Sequence, residues 1–274
     1  MEYLLRKLQL TQLEILQVID SFCKENRICY SLYAGTLLGA IRHQGFIPWD
    51  DDLDICMERS EYERFLHIWD EKSPCGYLLQ NKENSPGFTQ SFSKVRKIKT
   101  TFLQEEWERR RYHTGIFVDV FPIDRMPDQR FQRLVFQWKC MHYQLLTREF
   151  IPPKAPFPVK CGSRILLTLI KSGRREAARK KDLDYIESFT DSQFPRVAIE
   201  TLSSMRTPLP SNLMDRYTEC IFEGQRFPVF ENWEGYLRCK FGDYMTLPPE
   251  TEKIWKHHPI VLDFEHDLEE REDE

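Results

Sequence analysis

Trp49-Asp50-Asp51-Asp52-Leu53-Asp54-Ile55 places four aspartates within five positions. Like charges in so short a stretch repel one another, and burying them unpaired is costly. A solvated turn would tolerate them. This run, however, lies between apolar Phe46-Ile47-Pro48-Trp49 and Leu53-Asp54-Ile55-Cys56-Met57, which alternates as a β-strand does. Side chains of a strand point to opposite faces in turn, so an extended segment sets Asp52 and Asp54 on one side. Such a pair is suited to a divalent ion like Mg²⁺, which prefers hard oxygen ligands and bridges carboxylates to substrate phosphates. Phe117-Val118-Asp119-Val120-Phe121 offers a third carboxylate, from a neighbouring strand. On its own Asp119 would read as an ordinary charge on a wet strand face; the partner motif lifts it. Asp124, after Pro122, reads as a turn or cap residue.

Upstream, Ile28 to Gly35 reads as a strand entering a tight turn, and Thr36 to His43 as a short helix. Ala34-Gly35-Thr36 thus joins a strand end to a helix start, where backbone N–H groups can face phosphate. Gly45 and Pro48 mark the following segment as a loop. A Gly-Thr helix start, two carboxylates on the next strand and a third later is the layout of the nucleotidyltransferase superfamily. Ser60, with Glu63 three residues on, predicts a capped helix start. Strand-like runs at 77–82, 88–99 and 115–124 complete a mixed α/β layer structure. From Pro127 to about Phe189 the pattern turns helical, with a Pro-rich break from Ile151 to Pro158. Phe131, Leu134, Val135 and Trp138 there suit a core as well as a binding surface. The last third carries a helix near Trp233 to Phe241, an otherwise irregular chain with Tyr217 to Phe230 uninformative, and an acidic tail.

A hydrophobic fraction of 41% with 30% charged residues is that of a globular protein. The net charge of −4 argues against broad nucleic-acid binding, so no nucleic-acid partner is expected. At the N-terminus Leu4, Leu5, Leu8, Ile15, Val18, Ile19 and Phe22 recur at helical spacing among charged residues, unlike a signal peptide. No run approaches the about 20 apolar residues of a transmembrane segment. A cytoplasmic location is expected, with peripheral membrane contact left open. The eight cysteines form no CxxC pair, which predicts reduced thiols.

Gly35 to Phe65, GTLLGAIRHQGFIPWDDDLDICMERSEYERF, resembles the signature of the LicD family of phosphocholine transferases, found in looser form in fukutin and fukutin-related protein. Gly115 to Asp124, and Trp233 to Glu250 followed by His257-His258, look like further family landmarks. The resemblance implies a single LicD-like domain over 1–274, of the α/β (α+β) class with a nucleotidyltransferase-like mixed sheet flanked by helices. Its expected parts are a catalytic α/β core at 1–125, a helical lobe at 126–205 and a segment at 206–274 completing the site. The implied reaction moves a phospho-alcohol, phosphocholine foremost, from a CDP-linked donor such as CDP-choline or CDP-ribitol. The acceptor is a hydroxyl of a cell-surface glycan or lipid-linked glycan precursor, as in lipopolysaccharide or teichoic acid, and CMP is released. The alternatives are a nucleotidyltransferase acting on an alcohol phosphate or sugar phosphate, and a non-catalytic accessory module of the same fold.

By position, Asp50, Asp52 and Asp54 match the family's acidic metal-binding run and Asp119 its later carboxylate, implying Mg²⁺ or Mn²⁺ as cofactor. Asp52, Asp54 and Asp119 are the expected catalytic carboxylates, with Asp119 or Asp54 accepting the acceptor hydroxyl's proton. Gly35, Thr36, Arg42, His43, Lys94 and Arg96 are the expected donor-binding residues, with Lys94 and Arg96 on one strand face. Arg109-Arg110-Arg111 reads as a surface run. A choline head group calls for an aromatic cage, for which Trp49, Trp107, Tyr112 and Trp233 are available. His257 and His258 either touch substrate or complete the core.

Overall fold

A computed structural model describes residues 2–104, 112–148, 157–189, 193–197 and 208–268. The described chain divides into two compact units, one drawn from 1–80, 92–122 and 213–274, the other from 81–91 and 123–212.

The first unit is built on a sheet with strand order β1-β2-β6-β4-β3: β1 (Ser31–Leu32), β2 (Asp54–Glu58), β3 (Tyr77–Gln80), β4 (Ser93–Lys97) and β6 (Phe117–Arg125). β1 pairs antiparallel with β2, and β4 pairs antiparallel with both β3 and β6. β2 and β6 sit side by side at the centre, and both are almost wholly buried. Three helices pack on the sheet: α1 (Glu2–Asn26), α2 (Ala34–His43) and α3 (Arg59–Lys72). α1 buries Leu8, Ile15, Leu16, Ile19 and Phe22 at helical spacing, the amphipathic stripe read from the sequence. Phe22 meets Phe65 at 5.7 Å and Trp69 at 4.7 Å between ring centroids, and these rings form the seam between α1 and α3.

A short ladder pairs β5 (Thr101–Leu103) with β10 (Val261–Asp263), and β8 (Tyr217–Phe222) pairs with β9 (Gln225–Phe230). The β8–β9 hairpin turns at Glu223-Gly224, both at positive φ (50° and 75°), as a tight two-residue connection needs. A non-glycine residue there is uncommon. Glu223 is held by Arg6, at 2.6 Å, and by the Phe46 N–H. Trp233–Phe241 forms helix α7.

In the second unit, Asp124 and Arg125 at the end of β6 pair with β7 (Arg196–Val197). Helix α4 (Arg130–Arg148) packs on α6 (Ser172–Glu187). Met126, Phe136, Cys140, Tyr143, Ile186 and Val197 make its core. Helix α5 (Phe157–Leu169) lies between α4 and α6 in sequence.

The α/β class and its mixed sheet are those read from the sequence; several local readings differ. The strand at 28–35 is only Ser31–Leu32, because the positive φ of Ala34 already starts α2. Ser60 is not the cap of α3: the helix begins at Arg59, which pairs with Glu63 at 3.1 Å. Asp124 is a buried strand residue, not a turn. Tyr217 to Phe230 is a hairpin. Trp138, Leu134 and Phe131 are exposed (47, 65 and 77%) and belong to no core. The eight cysteines are free thiols, as expected, with Cys23, Cys56 and Cys140 buried. No helix among the described residues is long and apolar enough to cross a membrane. The Ile151–Pro156 part of the Pro-rich break, and the tail beyond 268, lie outside the described residues.

Phe65 is fully buried between Phe22 and Trp69. Phe65→Ala should cost about 3–5 kcal/mol, read as a shift of the urea unfolding midpoint. A change under about 1 kcal/mol would mean the seam is not packed as described.

Candidate active site

The acidic run sits where α2, the loop after it and β2 meet. Tyr33 N–H bonds to the Asp54 carbonyl (3.0 Å), and Asp54 N–H donates to the Thr36 hydroxyl (2.8 Å). The start of α2 is therefore sewn to the start of β2. From α1, the Gln9 amide reaches the carbonyls of Ile47 and Asp50, and the Gln12 amide that of Asp51. A Cβ on Gly35 would lie 2.7 Å from Asp50 Oδ2, so only glycine leaves that carboxylate its place. β2 begins at Asp54, so Asp52 precedes the strand; the loop, not strand alternation, brings it beside Asp54.

One oxygen each of Asp50, Asp51 and Asp52 lies within 4.8 Å of the others. Asp51 is fully buried, and its carboxylate is taken up by the C-terminal segment. His257 N–H and Nδ1 approach it at 2.9 and 3.0 Å, and Lys256 N–H at 3.4 Å. Lys256 Nζ pairs with Asp50 Oδ1 at 3.1 Å, and His257 Nδ1 lies 3.9 Å from Asp52 Oδ2. On β6, Asp119 N–H bonds to the Leu53 carbonyl, tying the strand to the acidic run. Opposite it in the β4–β6 register is Lys94, whose Nζ meets Asp119 Oδ1 at 2.5 Å.

The charges are unevenly balanced. Burial first, and then the charge of Asp52, push Asp50 up to about 7 against the pull of Lys256. Burial, with Asp52, Asp119 and Asp50 as repelling neighbours, lifts Asp54 well above the usual carboxylate range, with Lys240 opposing. Asp119 is raised because burial outweighs its bond with Lys94, and burial lowers Lys94 to about 8. Burial acts to raise Asp51 as well, but the contacts with His257 prevail and hold it below its ordinary value.

Residues 27–160 match the family model described as LicD/FKTN/FKRP, nucleotidyltransferase domain. The chain carries a LicD-family domain. It is 28% identical over 261 residues, 93% of this chain and 96% of the relative, to the lipopolysaccharide cholinephosphotransferase LicD of Haemophilus influenzae. Uncharacterized proteins of Rickettsia typhi and Rickettsia prowazekii are 35% and 36% identical over 77 and 73 residues, covering 25% and 27% of their lengths.

Within the LicD-family site, Asp50, Asp52, Asp54 and Asp119 are the carboxylates that could hold a divalent ion. The donor set fits one: it consists of hard oxygens, and burial, followed by neighbouring carboxylates, raises Asp50 and Asp54 against the pull of Lys256 and Lys240. Asp51, which sequence reasoning passed over, supports the run from behind through His257. Lys256 was also missed, since a lysine 206 positions from its partner gives no local signal.

The other expected residues fall into three groups. Gly35, Thr36 and Lys94 touch the carboxylates or their backbone. Arg42 and His43 end α2, where Arg42 bonds to His43 Nε2 (3.0 Å) and the Tyr244 carbonyl (2.9 Å). The His43 ring faces Trp49 at 6.2 Å, with Lys253 over the other ring at 5.1 Å. Arg96 shares the face of Lys94, both over Phe117, but its guanidinium is bound by Gln80 and the Gly115 carbonyl. Tyr112 and Trp233 are half-buried. His257 contacts the acidic run, while for His258 no such contact is formed. Trp107 and Arg109–Arg111 lie outside the described residues.

Removing the Thr36 hydroxyl leaves the buried Asp54 N–H without its acceptor. Thr36→Val should lower stability by about 1–3 kcal/mol in thermal or urea unfolding, whereas Thr36→Ser should retain most of it. Equal loss in both variants would show that methyl packing, not the hydroxyl, joins α2 to β2.

Proposed function

We propose that this chain is a LicD-type phosphotransferase that moves phosphocholine from CDP-choline onto a hydroxyl of lipopolysaccharide or a related cell-surface glycan, releasing CMP. The observation that carries the reading is the array of buried Asp50, Asp54 and Asp119 with half-buried Asp52 within a LicD-family domain. Similarity to a lipopolysaccharide cholinephosphotransferase along 93% of the chain supports the choice of transferred group and acceptor.

In this reaction the acceptor oxygen attacks the phosphorus bearing choline. The bond from that phosphorus to the bridging oxygen breaks, and the electron pair leaves with CMP. Such transfers ask a protein chiefly for alignment and charge neutralisation. Asp50, Asp52, Asp54 and Asp119 would hold Mg²⁺ or Mn²⁺, which when bound neutralises the diphosphate. Lys94 fixes Asp119 Oδ1 across the ladder, so the rotamer of that carboxylate is set before substrate arrives. Lys256, with a side chain 61% exposed, is a cation positioned to turn from Asp50 toward phosphate. Asp51 and His257 keep the C-terminal segment against the acidic run. The acceptor hydroxyl's proton passes to a carboxylate oxygen of Asp54 or Asp119. The four carboxylates are all present, which favours catalysis over an accessory role.

The purified protein, given CDP-choline and Mg²⁺ or Mn²⁺, should release CMP, and chelation should abolish release. Asp52→Asn should reduce the rate by at least about a hundredfold, the scale for losing one preorganised electrostatic contact, with its melting temperature little changed. Pyrophosphate from CTP and phosphocholine, with no CMP from CDP-choline, would instead establish the nucleotidyltransferase reading. Neither product, with lipopolysaccharide present as acceptor, would sink both.

A further inference from the structure

Helix α5 is apolar yet buries none of its described side chains. Phe157, Ile165 and Leu169 are 78, 60 and 73% exposed. With Cys161 they recur every fourth residue, so they line one face of the helix. Lys160 and Arg164 share the next row, and exposed Lys171 follows two residues past the helix end. Between Glu149 and Glu176 the chain has six lysines and arginines and no acidic residue. From Arg130 to Lys181 it has thirteen basic residues against two acidic ones, although the whole chain carries −4. In the same unit, α4 exposes Phe131, Leu134, Trp138 and Met141, three or four residues apart on one face.

A monomeric protein rarely leaves apolar side chains of this size in water without a use for them. An apolar helix face bordered by cations, with anions missing from the flanking chain, has the chemistry of a helix lying in the plane of an anionic lipid surface. Leucine, isoleucine and phenylalanine enter the acyl boundary, and lysine and arginine stems extend toward headgroup phosphates. We infer that α5 docks this protein on the surface of an anionic phospholipid bilayer, with Phe157, Ile165 and Leu169 inserted and Lys160, Arg164 and Lys171 at the headgroups. The negative remainder of the chain does not forbid this, since at physiological salt charge acts over only about 8–10 Å. The inference does not depend on the transferase reading.

Cosedimentation of the full chain with phosphatidylcholine vesicles, with and without phosphatidylglycerol, tests it. Binding should require phosphatidylglycerol and weaken as salt is raised. Ile165→Asp with Leu169→Asp should abolish it, with circular dichroism and melting temperature unchanged, because both side chains are exposed. Arg164→Gln and Lys171→Gln should each weaken binding by about fivefold, and they keep the test decisive if the aspartate variant misfolds. Wild-type protein that stays in solution with both vesicle types would overturn the proposal. So would binding that is indifferent to all four substitutions, or a wild-type dimer that the aspartate variant dissociates while vesicles capture nothing.

Discussion

Repulsion among buried carboxylates is the constraint around which the first unit is arranged. Two like charges about 4 Å apart repel by about 4 kcal/mol at an effective dielectric of about 20, and five aspartates gather here. The structure deals with them individually. Asp51 is bonded to the 256–257 segment, Asp119 is paired across the ladder with Lys94, and Asp50 meets Lys256. Asp54 has Lys240, Lys94 and Lys256 as opposing charges, yet burial and three repelling neighbours still lift it. Such incomplete neutralisation costs stability, a cost that the proposed cation would relieve.

Holding the charges in place determines much of the surrounding chain. Gln9 and Gln12 of α1 are spent on carbonyls of the acidic loop, where an amphipathic helix would otherwise place apolar residues. Gly35 gives up a side chain to make room for Asp50, and the Thr36 hydroxyl takes a strand-end N–H. The residues that build the site and those that join α1, α2 and β2 are thus the same. A substitution at Gly35 or Thr36 acts on packing and on carboxylate geometry together.

This coupling explains what could be read from the sequence. Asp50, Asp52, Asp54 and the Gly-Thr helix start lie within twenty residues and declare themselves by type and spacing, and Asp119 stands out as a charge among strand formers. The common face of Lys94 and Arg96 follows from alternation, and both indeed lie over Phe117. Their different partners do not follow, because a cross-strand register decides that Lys94 faces Asp119. Lys256 and the support of Asp51 by His257 come from contacts more than two hundred residues apart, for which local pattern carries no information. The hairpin at 217–230 was obscured by a turn through Glu223, a positive-φ residue that bonds with Arg6, Phe46 and the Gln44 carbonyl from distant elements.

An acidic site poses a further problem for the proposed chemistry, because the donor diphosphate is itself anionic and would be repelled. Of the cations in contact with the carboxylates, Lys94 is buried against Asp119, and only Lys256 has a largely exposed side chain. These do not offset all the aspartates, and the proposed divalent cation would supply the remaining positive charge for the proposed donor. The stretch from Arg130 to Lys181, which bears the exposed apolar helix, is instead strongly net basic, with thirteen basic residues against two acidic ones. Positive charge gathered beside an exposed apolar helix suits attraction to an extended anionic surface. The separation of acidic and basic residues along the sequence would match the two proposed anionic targets, one held through an ion by oxygen ligands and the other met directly by lysine and arginine.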